Sequence, residues 1–190
     1  MRYYYWGPLL TKTKLKEQEL IAIKNLCVKD ESKIVRDRLV ANTKEEFEID
    51  IKDLPEILRS HINDYCYMYK RWYGRDCKNL KPNEAWVNYM NPGDYNPIHQ
   101  HLDCDISCVI YVDIPKELEL EIKDYVGRSL GPGSILFLYG ENNRQHLTWH
   151  EFKPEAGDIF LFPSTLRHTV NPYKSNCQRV SVAINFNIEV

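Results

Sequence analysis

The sequence predicts a mainly β protein with flanking helices, folded as a jelly roll with the helices on the outside. Two observations carry this reading. Beyond Cys77, short segments rich in Val, Ile, Tyr and Phe follow one another, divided by Pro, Gly, Asn and Asp. Many short strands at such close spacing fold as a sandwich or barrel. Helical periodicity, by contrast, is confined to the first third of the chain. A chain of 190 residues is expected to form a single domain, with 1–77 as a helical flank carrying an N-terminal strand and 78–190 as the jelly-roll core that bears the site.

The elements follow in order. The aromatic start "YYYW" reads as an edge strand or a contact surface. In "KEQELIAIKNLC", Leu20, Ile23 and Cys27 share one face at helical spacing. A longer stripe, Leu54, Ile57, Leu58, Ile62, Tyr65, Tyr69 and Trp72, predicts a second helix. Asp53 is placed to cap it, Pro55 suits its first turn and Gly74 is placed to end it. Both stripes are expected to pack on the core. Nine strand candidates come next: "EAWVNYM", "NPIHQH", "ISCVIYVDI", "LELEIKDY", "GSILFLY", "LTWHEF", "GDIFLFP", "LRHTVNP" and "RVSVAINFNI". The stretches "NPGD", "GPG" and "PEAGD" supply turns, and "GENNRQH" reads as a polar loop.

Composition narrows the function. An apolar fraction of 43% and a formal charge of −2 describe a folded protein with no bulk electrostatic attraction for nucleic acid. No apolar run reaches the length of a membrane span, and the N-terminus lacks the apolar segment of a signal peptide. An intracellular location is therefore expected. Six scattered cysteines without a CxxC pair read as free thiols that pack as small apolar groups. Nothing near Cys104 and Cys108 completes a zinc pattern.

One stretch, "NPIHQHLDCDIS", concentrates metal-ligand chemistry. His99, His101, Asp103 and Asp105 recur at every second position, so an extended chain turns all four to one side. Half of a metal site would then lie elsewhere. Of the other histidines, His61 falls in the second helix as a structural or exposed group, and His146 and His150 lie in or just after the polar loop. His168 differs: it opens a strand in "FPSTLRHTVNP". Eleven positions later comes Arg179, with Ser181 two beyond on the same face of the last strand. A guanidinium fork and a hydroxyl there make a carboxylate clamp. Asn88 and Asn185 are polar residues inside apolar strands and need partners, a cofactor or a substrate. Trp86, Tyr89 and Tyr111 read as interior packing, Asp158 as a turn former, and Asp105 as structural or as support for a ligand.

Taken together, "WVNYMNPGDYNPIHQHLDCDISCVIYVDIP" and "KPEAGDIFLFPSTLRHTVNPYKSNCQRVSVAINF" resemble the 2OG-Fe(II) oxygenase family, most closely a group found in marine bacteria and phages. The resemblance covers roughly residues 84–188. It implies a double-stranded β-helix, which is a jelly roll, and two cofactors, Fe(II) and 2-oxoglutarate. It further implies a dioxygenase, as a hydroxylase, that couples oxidative decarboxylation of 2-oxoglutarate to succinate with attack on a C–H bond. The His-x-His pair of that group maps to His99 and His101, with His168 as the third ligand. The commoner superfamily triad would instead select His101 and Asp103 with His168. Arg179 and Ser181 would hold the distal carboxylate of 2-oxoglutarate, with Asn88 beside them. The substrate stays open between a small molecule and a protein side chain, as does the oligomeric state. The location implied is the cytoplasm, that of the host cell if the chain is phage-encoded. Two other functions remain: a non-catalytic jelly-roll binding module, and a cupin-like metalloenzyme that uses no 2-oxoglutarate. Intact candidate ligands argue against the first, and the Arg179/Ser181 clamp against the second.

Overall fold

A computed structural model describes residues 7–141 and 148–190. The N-terminal "YYYW" and most of the polar loop, including Asn142, Asn143 and His146, lie outside the described residues. The chain runs β1 (Thr11–Lys14), α1 (Glu17–Leu26), β2 (Glu45–Glu48), α2 (Leu54–Ile57), α3 (Arg59–Tyr73), β3 (Asn79–Met90), β4 (Asn96–His99), β5 (Ile106–Asp113), α4 (Lys116–Asp124), β6 (Ile135–Leu138), β7 (Trp149–Phe152), β8 (Asp158–Pro163), β9 (Arg167–Val170) and β10 (Arg179–Glu189). Six strands form one sheet in the order β1-β8-β5-β10-β3-β2, and four form a second in the order β4-β9-β6-β7. All pairings are antiparallel. This two-sheet, mainly β architecture with a helical flank is the jelly roll predicted above.

The larger sheet has two different faces because its strands alternate. On β10, Val182, Ile184 and Phe186 join Val87 and Ile110 in a core closed by Ile23, Leu58, Ile62 and Tyr65 of the helices. The opposite face meets the smaller sheet over a second core of Met90, Tyr111, Phe137, Phe160, Phe162 and Val170. The site lies between the sheets on this second side. The helix boundary at Gly74 holds as predicted. Gly74 adopts φ 64°, and its N–H bonds the carbonyl of Lys70 at 2.9 Å, a backbone state that glycine takes without steric cost.

Three local readings are corrected. The stripe over Leu54–Trp72 is two helices, broken at Leu58 (φ −98°, ψ 9°), and the Asp53 side chain makes no capping bond. The segment "LELEIKDY" is no strand but lies mostly in α4. Its apolar–acidic alternation mimics a strand, yet Leu118 and Ile122 stand one helical turn apart and pack on the second core, while Leu120 is exposed. Acidic residues in its first turn and Lys123 in its last suit the helix dipole. Finally, β1 ("TKTK") and β2 ("EEFE") are additional strands at the two edges of the larger sheet. Their polar composition, useful on an exposed edge, hides them from a hydrophobic-pattern reading. No helix among the described residues is long and apolar enough to cross a membrane.

Candidate metal and cofactor site

His99 ends β4 and is the direct cross-strand partner of His168 on β9. Their ring centroids are 4.2 Å apart. His101 lies beyond the strand, and its backbone N–H is tied to the carbonyl of Ser164 at 2.9 Å. The Ser164 N–H in turn bonds the carbonyl of Asp105, and its hydroxyl donates to that of Cys104 at 2.6 Å. This lacing folds residues 101–105 against the turn after β8. The extended run expected over 99–105 therefore stops at His99. His101 turns back to the other two histidines, and one nitrogen from each of His99, His101 and His168 lies within 4.8 Å of the others. Asp103 sits in an exposed bend outside this group, and Asp105 accepts the backbone N–H of Ile188 at 2.8 Å.

The three imidazoles are prepared as neutral donors. Nδ1 of His99 lies 2.8 Å from the carbonyl of Pro97, and Nδ1 of His168 lies 2.9 Å from that of Leu166. A carbonyl only accepts, so both Nδ1 atoms carry the proton and Nε2 is left as the free lone pair. Burial, with repulsion from His99, pushes His168 down to about 3 and His101 down to about 4. Burial also lowers His99. His101 stacks on Trp86, at 6.1 Å between centroids. Asn185 accepts from the Ser107 hydroxyl at 3.3 Å, donates to Glu84 at 3.4 Å and lines the space beside His101.

A narrow cavity of about 50 Å³ runs inward from the histidines to Arg179. Ser181 of β10 pairs with Asn88 of β3 on one side and Tyr111 of β5 on the other. These three side chains form a row across the sheet, and all line the cavity. Arg179 is 2% exposed. It donates through Nη1 to the carbonyl of Gly133 at 3.0 Å, contacts Met90 Sδ through Nη2 at 2.9 Å, and lies 5.2 Å over the Tyr111 ring. Its Nε and the Tyr111 hydroxyl are buried with no hydrogen-bond partner, and no carboxylate pairs with the guanidinium among the described residues. Burial pushes the Tyr111 phenol up to about 12, which keeps it a donor. Two orphaned buried donors at the foot of a cavity fit a carboxylate. Tyr111 is the residue whose role sequence reasoning missed: an aromatic in a core strand looks like packing until its hydroxyl is seen beside a buried cation.

The remaining candidates fall elsewhere. His61 bridges Thr13 and Glu19 at 2.9 and 3.2 Å, a structural tie between α3, β1 and α1. His150 is exposed on β7. Asp158 is buried, accepts the N–H of Glu155 at 2.8 Å and pairs with Lys12 and Lys14. Tyr89 faces the helical core and donates to the carbonyl of Cys27. Cys108 is buried, and neither it nor Cys104 belongs to a metal-ligand group.

Comparison with known proteins agrees with this geometry. The 2OG-Fe(II) oxygenase family model matches residues 84–185, and the chain belongs to that family. It is a 2-oxoglutarate-dependent dioxygenase whose cofactors are Fe(II) and 2-oxoglutarate. Among solved structures it is similar to a Pseudomonas putida prolyl-4-hydroxylase (TM-score 0.62, 14% identity, covering 95% of this chain and 93% of that one). It is also similar to a viral collagen prolyl hydroxylase from Paramecium bursaria Chlorella virus-1 in complex with 2-oxoglutarate (TM-score 0.59, 15% identity, 95% and 96%). A third similar structure is a Trichoplax adhaerens prolyl hydroxylase bound to a hypoxia inducible factor peptide (TM-score 0.56, 13% identity, 94% and 83%). No curated protein sequence matches the chain.

Proposed function

We propose that His99, His101 and His168 hold the iron, that Arg179, Ser181 and Tyr111 hold the distal carboxylate of 2-oxoglutarate with Asn88 beside them, and that the chain hydroxylates an organic substrate. The observation that carries this reading is the buried Arg179 guanidinium. Among the described residues it has no anion of its own, and it lies at the foot of a cavity lined also by the three imidazoles. When bound, the metal and 2-oxoglutarate supply the oxidising power, with decarboxylation to succinate coupled to oxygen insertion into a C–H bond.

The residues of this chain supply position and environment. The Pro97 and Leu166 carbonyls fix two ring tautomers. Burial keeps the imidazoles unprotonated, so protons compete little for the donor atoms. Arg179 offers charge and Tyr111 a hydroxyl where a dicarboxylate would end, and Met90, Phe162 and Val170 exclude water around them. Three imidazoles give a donor set one negative charge poorer than the triad with Asp103. The exposed position of Asp103, outside the histidine group, favours the three-histidine set. The prolyl hydroxylases named above, which share this fold, support hydroxylation as the outcome.

The test is anaerobic titration of metal-free protein with Fe(II) and then 2-oxoglutarate, following the weak visible metal-to-ligand charge-transfer band. The band is expected in the native protein and absent in His168→Ala. Iron binding with the band retained in His168→Ala would overturn the three-histidine assignment, and a band that persists unchanged in Arg179→Met at limiting 2-oxoglutarate would overturn the assignment of the carboxylate site.

A further inference from the structure

Outside the cofactor cavity lies a second, wider chamber that shares Trp86, Asn96, His99 and His101 with it. One wall of this chamber is Glu46. It sits on β2 directly opposite Asn88 of β3, and cross-strand partners present their side chains on the same face. Asn88 lines the inner cavity, so Glu46 is turned toward the site and away from the helical core. It is fully buried, at 0% exposure, and neither carboxylate oxygen has a hydrogen-bond partner.

Its neighbours show how unusual this is. Glu45 is bonded by Lys29, Asn91 and Gln178. Glu48, two residues along, pairs with Arg38 at 3.3 Å. A buried carboxyl with no partner is costly, and burial, with repulsion from Asp94, pushes this one up to about 8. Among the described residues the chamber adds no free counter-charge. Glu84 and Asp103 also line it, and Arg38, its lining arginine, is engaged with Glu48. Leu39 and Leu102 supply apolar surface.

We propose that Glu46 is a substrate-recognition group that receives the cationic end of the substrate, a protonated amine or guanidinium carried on an aliphatic stem. The proposal rests on reading the three histidines as the oxidation centre. A neutral donor would satisfy one oxygen, but the acidic balance of the chamber selects a cation. The apolar lining takes the stem, and the stem is thereby brought past His99 and His101. A basic amino-acid side chain has this chemistry.

The experiment is anaerobic calorimetry on protein loaded with Fe(II) and 2-oxoglutarate, using Nα-acetyl-lysine amide, Nα-acetyl-arginine amide and the norleucine isostere as probes. At least one cationic probe is expected to bind ten-fold or more tightly than the norleucine compound, and Glu46→Gln is expected to remove that preference. Equal binding of cationic and neutral probes by the native protein, absence of binding by all three, or a preference that survives in Glu46→Gln would each overturn the proposal. The native-protein comparison decides even if the variant folds poorly. Failure of the underlying reading looks different: 2-oxoglutarate does not bind at all, and the same probe comparison on metal-free protein then judges Glu46 by itself.

Discussion

Replacing Glu46 by Gln tests the buried carboxyl without any ligand. The carboxyl has an ordinary value of 4.5, which it keeps in the unfolded chain, and burial moves it to about 8 in the folded one. Between these two pH values the folded protein holds a proton that the unfolded chain has released. Stability conferred by the native side chain therefore falls as pH rises, by about 1.4 kcal/mol per pH unit, until the folded group ionises near pH 8. Glutamine is uncharged throughout and fills the same space, so it resembles the protonated native side chain. The two proteins should differ by less than about 1 kcal/mol at pH 5. At pH 7.5 the glutamine variant should be more stable by up to about 4 kcal/mol, a large share of the about 5–15 kcal/mol that holds a typical domain together. The assay is urea unfolding of metal-stripped protein at half-unit steps from pH 5 to 8.5. The three depressed imidazoles also couple stability to pH, chiefly in the acid range, but identically in both proteins, so they cancel in the difference. Parallel curves for the two proteins would show the carboxyl to be hydrated or paired and would refute the reasoning.

Three further outcomes are expected. Arg179→Met should weaken 2-oxoglutarate binding about 30- to 1000-fold, from the about 2–4 kcal/mol lost with a buried charge partner. The same change should raise the melting temperature of the cofactor-free protein, because it removes a buried guanidinium that lacks an anion; a lower temperature with unchanged binding would contradict both halves. Asp103→Ala should leave Fe(II) affinity within about two-fold of native, as expected of an exposed side chain away from the ligands, whereas His99→Ala should lose metal binding; equilibrium dialysis with the two variants decides. Fe(II) affinity should stay nearly constant from pH 8 down to about pH 6, since imidazoles pushed to about 3 and about 4 do not take up protons there. A ten-fold decline per pH unit beginning at pH 6.5 would mean that the histidines are solvated.

The depth at which the sequence could be read varied with how local each signal was. Side-chain alternation placed Ser181 and Arg179 on one face of β10, and the pattern of short apolar strands gave the two-sheet core, because period and turn chemistry are written within a few neighbouring residues. Gly74 ended its helix for the same reason. Where local signals were ambiguous, tertiary contact chose. The alternating "LELEI" became helical because Leu118 and Ile122 could be buried together one turn apart. The polar β1 and β2 became strands because β8 and β3 offered open edges. Spacing alone left two metal triads open. The bonds from Ser164 decided which side chains face His168, since they bend the chain after His99 and leave Asp103 in solvent. No pattern along the chain marked Tyr111 or Glu46. Each is an ordinary strand residue by composition, and each acquires its role from the absence of a partner in a buried place, a property that exists only after distant strands have come together.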